Sequence, residues 1–484
     1  MSRLDDIRQE RLKKIQNLSS QNINSYPQYS GERTLIDDAK KLSTTQTIAG
    51  RLIAKRGHGK LIFADLIDAS GQIQLMFKAD LINSDNWKIV ENLDIGDFIL
   101  AIGEVSSSQS GETSLFVNSL QLLSKSIRPL PEKWHGLTDV EERYRQRYVD
   151  LIVNPEVKKV FTTRTKILTA IRNFLDENGF LEVETPVLQP IYGGATAKPF
   201  LTHHNALDSD LFLRISNELY LKRLIVGGFE KVYEVAKDFR NEGMSKEHNP
   251  EFTQVEFYWA YVDYNTLMDF TQKMWRHILN TVFNTQVITY QGKDYDFSAD
   301  WPRITFHDLL IKHLKLDIDL INTESSLIEF ITKNNLLPTN VPLAGYGKLL
   351  DELYKHHIRP TLDGPLFLTD YPTQMLPLAK RKAEDPTKVS SFQLLIAGHE
   401  YLKAYNELND PIDQAARWQE ESQAKDSGAE EFQETDLDYI RALEYGMPPT
   451  AGWGMGIDRV VAFMTDQPTI KDVILFPTLR PEVS

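Results

Sequence analysis

Two stretches of the chain concentrate side chains able to do polar chemistry. From Phe239 to Tyr258 the sequence carries Arg240, Glu242, His248, Asn249, Phe252, Gln254, Glu256 and Tyr258. Side chains alternate along a strand. Arg240 and Glu242 are therefore expected on one face of an outgoing strand, and Phe252, Gln254, Glu256 and Tyr258 on one face of a returning strand. The polar run Gly243 to Pro250 is expected as the loop between them. Such a hairpin holds a cation, an aromatic ring and carboxylates over one face of a sheet. A solvated edge hairpin has the same composition, so both readings stand at this point. The second stretch runs from Gly446 to Arg459. Its Gly452, Gly454 and Gly456 superficially suggest a dinucleotide-binding loop, but Pro448 and Pro449 rather than a strand precede them. Asp458-Arg459 followed by Val460 to Met464 reads instead as a glycine strand feeding a helix. Small residues there permit close approach of backbone or ligand.

These stretches need elements to hold them. Val160–Asn178 reads as an amphipathic helix closed by Gly179, and the strands after it do not alternate regularly with helices. That favours an α+β domain with a largely antiparallel sheet over a doubly wound one. Upstream, short β-like runs at Ile48–Ala54, Leu61–Ile67, Gln72–Phe77, Phe98–Val105 and Ser114–Leu122 are separated by turn residues. Five strands in so short a span suggest a small barrel of the OB-fold kind or another small β-domain. Residues 4–19 read as a polar helix and Asn22 to Gly31 as a linker; Pro129-Leu130-Pro131 marks a boundary. The expected division is 1–45 for helix and linker, 46–128 for the barrel and 129–484 for the larger domain. Residues 410–446, with eleven acids against three bases, read as solvated helices and a mobile loop around Asp426-Ser427-Gly428.

Composition narrows the class. At 484 residues, with 41% hydrophobic and 25% charged, the chain is an ordinary globular protein of two to four domains. The absence of cysteine excludes disulfides, thiolate zinc sites and a cysteine nucleophile. The polar N-terminus and the lack of a long apolar run lead us to expect a cytoplasmic protein without a membrane span. Net charge is −14, yet residues 1–60 carry twelve Lys/Arg and six Asp/Glu, a net of +6 that leaves −20 to the remainder. The basic end is either a solvated helix or a footprint for a polyanion. The adjacent pairs His203-His204 and His356-His357 lack the i, i+4 spacing of a helical zinc site, so no structural zinc is expected.

Taken together, the two stretches resemble motifs 2 and 3 of the class II aminoacyl-tRNA synthetases, and Gly179 to Pro186 resembles motif 1. More closely, the chain resembles the class II lysyl-tRNA synthetases. Arg240-Asn241-Glu242-Gly243, His248-Asn249-Pro250-Glu251-Phe252-Thr253, Tyr192 to Phe200, Asn217 to Arg223 and Asn406 to Asp410 carry the resemblance, which runs nearly end to end. It implies an antiparallel sheet flanked by helices, an N-terminal OB-fold that reads the anticodon, and a homodimer. It also implies activation of L-lysine by ATP with Mg2+, followed by transfer to tRNA(Lys). Arg240, Glu242 and Arg459 would be catalytic. Arg240, Glu242, His248, Asn249, Phe252, Glu400, Gly456 and Arg459 would bind ATP. Gly194, Glu218, Glu256, Tyr258, Lys403 and Glu407 would bind lysine. Arg56, Phe63, Gln74 and Glu112 would meet the anticodon.

Three positions depart from the family pattern. Gln393 stands where the family usually has a metal-binding Glu, seven residues before Glu400. Lys403 stands where it usually has Asn. One carboxylate is lost and one cation gained, so Lys403 is expected to replace part of a divalent ion's charge, with Glu400 and a weaker Gln393 as metal ligands. Neutral drift with magnesium still held by Glu400 and the phosphates, and changed amino-acid specificity or impaired catalysis, are the other readings. Glu247 replaces an Arg found in many bacterial relatives, with Lys246 beside it. The competing functions are a synthetase paralogue with another amino acid or acceptor, a diadenosine polyphosphate synthase, and a non-catalytic RNA-binding protein.

Overall fold

Apolar residues at every second position between Thr45 and Ser124 fold as that pattern requires. In the computed structural model, which describes residues 3–107, 111–131, 137–338, 341, 343, 345–426 and 435–482, the strands are Thr45–His58, Leu61–Ile67, Gln72–Lys78, Phe98–Ser107 and Thr113–Ser124. They pair into a closed barrel. The first strand serves two neighbours and shifts register between Leu52 and Ala54 where it leaves one for the other. Along the second strand Ile62, Ala64 and Leu66 turn into the core, which places Phe63 and Asp65 on the outer wall.

The first compact unit is Met1–Asp139, so the residues 1–45 expected as a separate helix and linker cluster with the barrel. Their helix, Arg3–Ser20, buries Leu18 in the barrel core, and Arg11 donates to the Ser126 and Arg128 carbonyls at 3.0 and 3.1 Å. A helix that the strand pattern does not reveal, Ser84–Asn92, is capped by the Asn83 side chain and adds Ile89 and Val90 to the same core.

The second unit, Val140–Ser484, is built on an eight-stranded sheet. Its order is Arg303–Thr305, Leu366–Thr369, Ser391–Ile396, His399–Asn406, Thr450–Gly456, Glu251–Ala260, Lys231–Phe239 and Leu181–Glu182. Only the two outermost pairings are parallel. Alternation divides each central strand between two faces. Val255, Phe257, Leu402, Ala404, Trp453 and Met455 turn toward the helices Pro155–Glu177, Tyr264–Ile278 and Ile457–Met464, which bury them in the main core. Glu256, Lys403 and Gly454 consequently face the other way. Burying these large apolar side chains supplies about 1.5–3 kcal/mol each, so the polar residues on the opposite face are held by a rigid floor.

Two expectations change. The outgoing strand ends at Phe239, so Arg240 and Glu242 lie on the loop rather than on a strand face. The ladder stops because Arg240 makes the last bond to the Pro250 carbonyl, whereas the Asn241 N–H turns to the Lys198 carbonyl at 2.7 Å. The acidic segment forms helices Pro411–Asp426 and Leu437–Glu444, yet Trp418 and Tyr439 are buried with Leu221, Ile225 and Met447. The loop expected around Asp426-Ser427-Gly428 runs into residues 427–434, which lie outside the described residues. No helix is long and apolar enough to cross a membrane among the described residues.

Candidate functional site

The strands Glu251–Ala260, Thr450–Gly456 and His399–Asn406 form the floor of a cavity of about 570 Å³ in the second unit. Register sets its rows: Glu256, Gly454 and Lys403 lie in line, and Tyr258, Gly452 and Tyr405 in the next. The glycines make the room. A Cβ on Gly452 would overlap Glu407 Oε1 and the Tyr258 ring. Gly194 forms part of the rim with φ +86°, and a Cβ there would crowd Ser216 Oγ at 2.9 Å.

One end of the cavity is acidic and buried. Glu218, Glu256 and Glu407 are 5%, 5% and 1% exposed. Glu218 opens the helix Glu218–Val226, and Lys222 one turn later places its ammonium 2.5 Å from Glu218 Oε1 and also against Glu407 Oε2. The Tyr405 hydroxyl donates to Glu218 at 2.9 Å, and the Tyr258 hydroxyl to Glu256 at 3.3 Å. Gln254 Nε2 also donates to Glu256. Burial pushes the Glu256 carboxyl well up, and pushes Glu407 to about 8 against the pull of Lys222. Burial opposes the charge on Lys222 too, but Glu218 and Glu407 outweigh it and hold that ammonium protonated. Behind this end, Arg214 pairs with Glu234 at 2.7 Å and Asp238 at 3.2 Å, and burial raises Asp238 to about 6.

The other end is cationic. The Arg240 guanidinium lies 5.1 Å over the Phe252 ring and reaches toward the Ile215 carbonyl. Arg459 donates to the Glu400 carbonyl at 3.1 Å, with its other nitrogen 3.4 Å from His248 Nε2. His248 Nδ1 is 2.8 Å from the Ser245 hydroxyl. Burial and then the Arg459 charge lower its pKa, so the imidazole is neutral at pH 7. Glu247 sits 2.9 Å from His399 Nδ1, and that hydrogen bond chiefly draws its carboxyl down to about 2. The Asn249 amide is spent on the loop: it donates to the Glu251 carbonyl and accepts from the Thr478 N–H. Asp458 accepts from the Thr253 N–H and pairs with Arg164 at 2.6 Å, which fixes the start of the helix bearing Arg459.

All the residues expected to bind nucleotide or amino acid line this cavity: Arg240, Glu242, His248, Asn249, Phe252, Glu400, Gly456 and Arg459, with Gly194, Glu218, Glu256, Tyr258, Lys403 and Glu407. Gln393 lies apart from it, although it is the cross-strand neighbour of Lys403. It is buried, and its Oε1 accepts the Tyr371 hydroxyl, so it is not a free oxygen ligand. Lys246 is exposed and does not line the cavity. Lys222, Tyr405 and Arg214 are not singled out by the sequence, whereas the close approach expected at the glycine strand is found at Gly452. The i, i+4 spacing of Glu218 and Lys222 is the signal that points to the first of these.

In the first unit Arg56, Phe63 and Met76 are in register across the outer wall of the barrel, as are Asp65, Gln74 and Ser114. Gln74 donates to Glu112 at 2.7 Å and accepts from the Ser114 hydroxyl at 3.0 Å, and Arg56 pairs with Asp65 at 3.3 Å. Phe63 is half-buried and is not part of the barrel core. Met76 stands opposite Phe116, whose ring lies 5.8 Å from the Lys78 ammonium. An aromatic ring beside amide and carboxylate groups suits unstacked bases.

Comparison with known proteins finds relatives for both units. Residues 139–480 match the class II tRNA synthetases (D, K and N), and residues 46–123 match the OB-fold nucleic acid binding domain. The chain is 48% identical to the lysine–tRNA ligase of Carboxydothermus hydrogenoformans, with 99% of each chain covered. It is 50% identical to that of Moorella thermoacetica over 90% of this chain and 88% of the relative. The lysine–tRNA ligase of Roseiflexus castenholzii is 46% identical, again with 99% of each covered.

Proposed function

We propose, from the premise that the chain belongs to the class II tRNA synthetases of the D, K and N group, that it is a lysine–tRNA ligase. The observation that carries the choice of amino acid is the acidic end of the cavity. Three carboxylates there are almost completely buried and compensated by one cation. A buried carboxylate without a partner is costly, and the ε-ammonium of lysine supplies one. Glu256, Glu407 and the Tyr258 hydroxyl would take that ammonium, and Glu218 with the Gly194 backbone would take the α-amino group. A neutral side chain would leave these groups unpaired, which gives strong rejection.

The chemistry needs position and charge rather than a covalent nucleophile. A substrate carboxylate oxygen attacks the α-phosphorus of ATP, the bond to pyrophosphate breaks, and lysyl-adenylate forms. The 3′-terminal hydroxyl of tRNA then attacks the carbonyl and AMP leaves. Arg240 is suited to bridge the carboxylate and the α-phosphate, because a guanidinium engages two oxyanions at once. Phe252 and Arg459 would hold the adenine between ring and cation, with Glu242 at its edge. Neutral His248 would donate a hydrogen bond to the triphosphate.

The donor set fits a magnesium ion carried by the phosphates with Glu400 as one protein ligand. It does not fit an ion shared between residues 393 and 400, because the Gln393 oxygen is held by Tyr371. When bound, magnesium would screen the charge of the phosphates. Lys403 adds a fixed positive charge on the same wall. Exposed Leu181, Val187 and Leu188 in and beside the segment resembling motif 1 support a homodimer, and cysteine-free composition supports a cytoplasmic setting.

Amino-acid-dependent ATP–pyrophosphate exchange, run with all twenty amino acids and with magnesium varied, tests this. Exchange with lysine alone is expected. Exchange with another amino acid, or none at any magnesium level, would overturn the reading. The double variant Lys403→Asn, Gln393→Glu is expected to require more magnesium for half-maximal rate, and an unchanged requirement would remove the charge-replacement role of Lys403.

A further inference from the structure

Lys222 has no solvent exposure and does not line the cavity, yet it touches two of the three carboxylates at the acidic end. Its ammonium is 2.5 Å from Glu218 Oε1 and also contacts Glu407 Oε2. These carboxylates belong to different elements: Glu218 begins a helix, and Glu407 follows the strand His399–Asn406. The rings of Tyr258, Tyr405 and Tyr439 surround the ammonium at 5.8 to 6.0 Å. Glu218 is also fixed from the other side by the Tyr405 hydroxyl.

Without a ligand the pocket balances its charge by protonation, because burial pushes the Glu256 and Glu407 carboxyls up and leaves the Lys222 ammonium against Glu218. Ionising Glu256 and Glu407 as well as Glu218 calls for positive charge beyond Lys222, whose ammonium contacts Glu218 and Glu407. Lysine at neutral pH carries two ammonium groups, while its carboxylate is taken by Arg240. Buried carboxylates hold their charge only when paired, so an amino acid with two ammonium groups favours the ionised pocket that a neutral side chain would leave protonated.

We propose that Lys222 is a built-in counter-ion and spacer, which ties the carboxylate that grips the α-amino group to the one that grips the ε-ammonium and thereby sets the length and charge of the amino acid accepted. The assignment rests on the roles given above to Glu218 and Glu407. Lys222 touches no substrate atom; it is a positioning residue. A buried ion pair by itself is a poor source of stability, so fold maintenance alone does not explain a charged side chain at this position.

The test is Lys222→Met in the full-length chain, which keeps the volume and removes the charge. In lysine-dependent pyrophosphate exchange its KM for lysine is expected to rise about tenfold or more, since removal of one buried partner strands another. The preference for lysine over ornithine, one methylene shorter, is expected to shrink by a similar factor, with the KM for ATP unchanged. A folded variant with unaltered KM and preference would overturn the proposal. So would an equal rise in both KM values at constant preference, which marks general loosening. If the variant does not unfold cooperatively, the Lys222 Nζ resonance of the unchanged chain, labelled with nitrogen-15, serves instead. It is expected to shift on adding lysine and not on adding ATP, and a resonance insensitive to lysine overturns the proposal. Absence of lysine-dependent exchange in the unchanged chain is a distinct result and removes the underlying function as well.

Discussion

At the scale of single residues, Glu247 shows how one acid can serve the fold and burden the site. Its hydrogen bond with His399 holds the carboxyl near 2, well below the ordinary carboxylate value. A lowered folded-state pKa gives stability that is complete above the ordinary value near 4.5 and is lost as pH falls toward 2. Glu247→Gln is therefore expected to be less stable than the unchanged chain at pH 6, with the difference vanishing near pH 2 in paired thermal unfolding curves. The same carboxylate lies among the groups proposed to bind the triphosphate, so the substitution is expected to lower the KM for ATP a few-fold, measurable in exchange kinetics. Most cavity-lining residues were legible in the sequence because motif 2 and motif 3 gather them within short stretches. Lys222 and Tyr405 were not, because what singles them out is the company they keep after folding. The displacement of Gln393 was equally hidden: its cross-strand position next to Lys403 is what the spacing implies, but the Tyr371 hydroxyl that occupies it comes from a distant segment.

At the scale of elements, alternation was a sound guide wherever one face is buried. The barrel strands fall within a few residues of the expected runs because Ile62, Ala64 and Leu66 cannot exchange faces with Phe63 and Asp65 without emptying the core. The outgoing strand of the Arg240 hairpin ends sooner than alternation predicts, since alternation cannot show that the Asn241 N–H finds its partner at Lys198. The acid count of residues 410–446 hid the burial of Trp418 and Tyr439, because composition averages over the two faces of a helix. Phe63 offers a test at this scale. It stands on the outer wall and outside the core, so Phe63→Ala should leave the barrel folded. Loss of one stacked base costs about 1–3 kcal/mol. Charging of tRNA(Lys) is thus expected to show a KM roughly five- to a hundredfold higher, while pyrophosphate exchange is unchanged. A matching loss in exchange would place Phe63 outside anticodon recognition.

At the scale of the whole molecule, charge is unevenly divided along the chain. The first 60 residues are basic, whereas the rest of the chain carries a net of −20. Binding of a polyanion through such a basic segment releases counterions and weakens steeply with salt. The KM for tRNA in charging is expected to climb several-fold between about 50 and 200 mM salt. Exchange, which needs only small ligands inside the cavity, is expected to change little over the same range. Equal salt sensitivity of the two assays would exclude a basic footprint for tRNA.

The strand Thr450–Gly456 bears on how this site can change over time. Its large side chains, Trp453 and Met455, are committed to the core, and Gly452 opposite them has no space for even one added carbon. Mutation at Gly452 can therefore only fill the pocket, and mutation at Trp453 or Met455 can only empty the core. Neither offers a graded route to a new substrate. Innovation is steered onto the neighbouring strand, whose Lys403 faces the same cavity with a long, half-buried side chain. A glycine floor that admits no added carbon, beside a wall that carries a long side chain, is an arrangement in which change at one position can retune the chemistry while the floor of the pocket stays as it is.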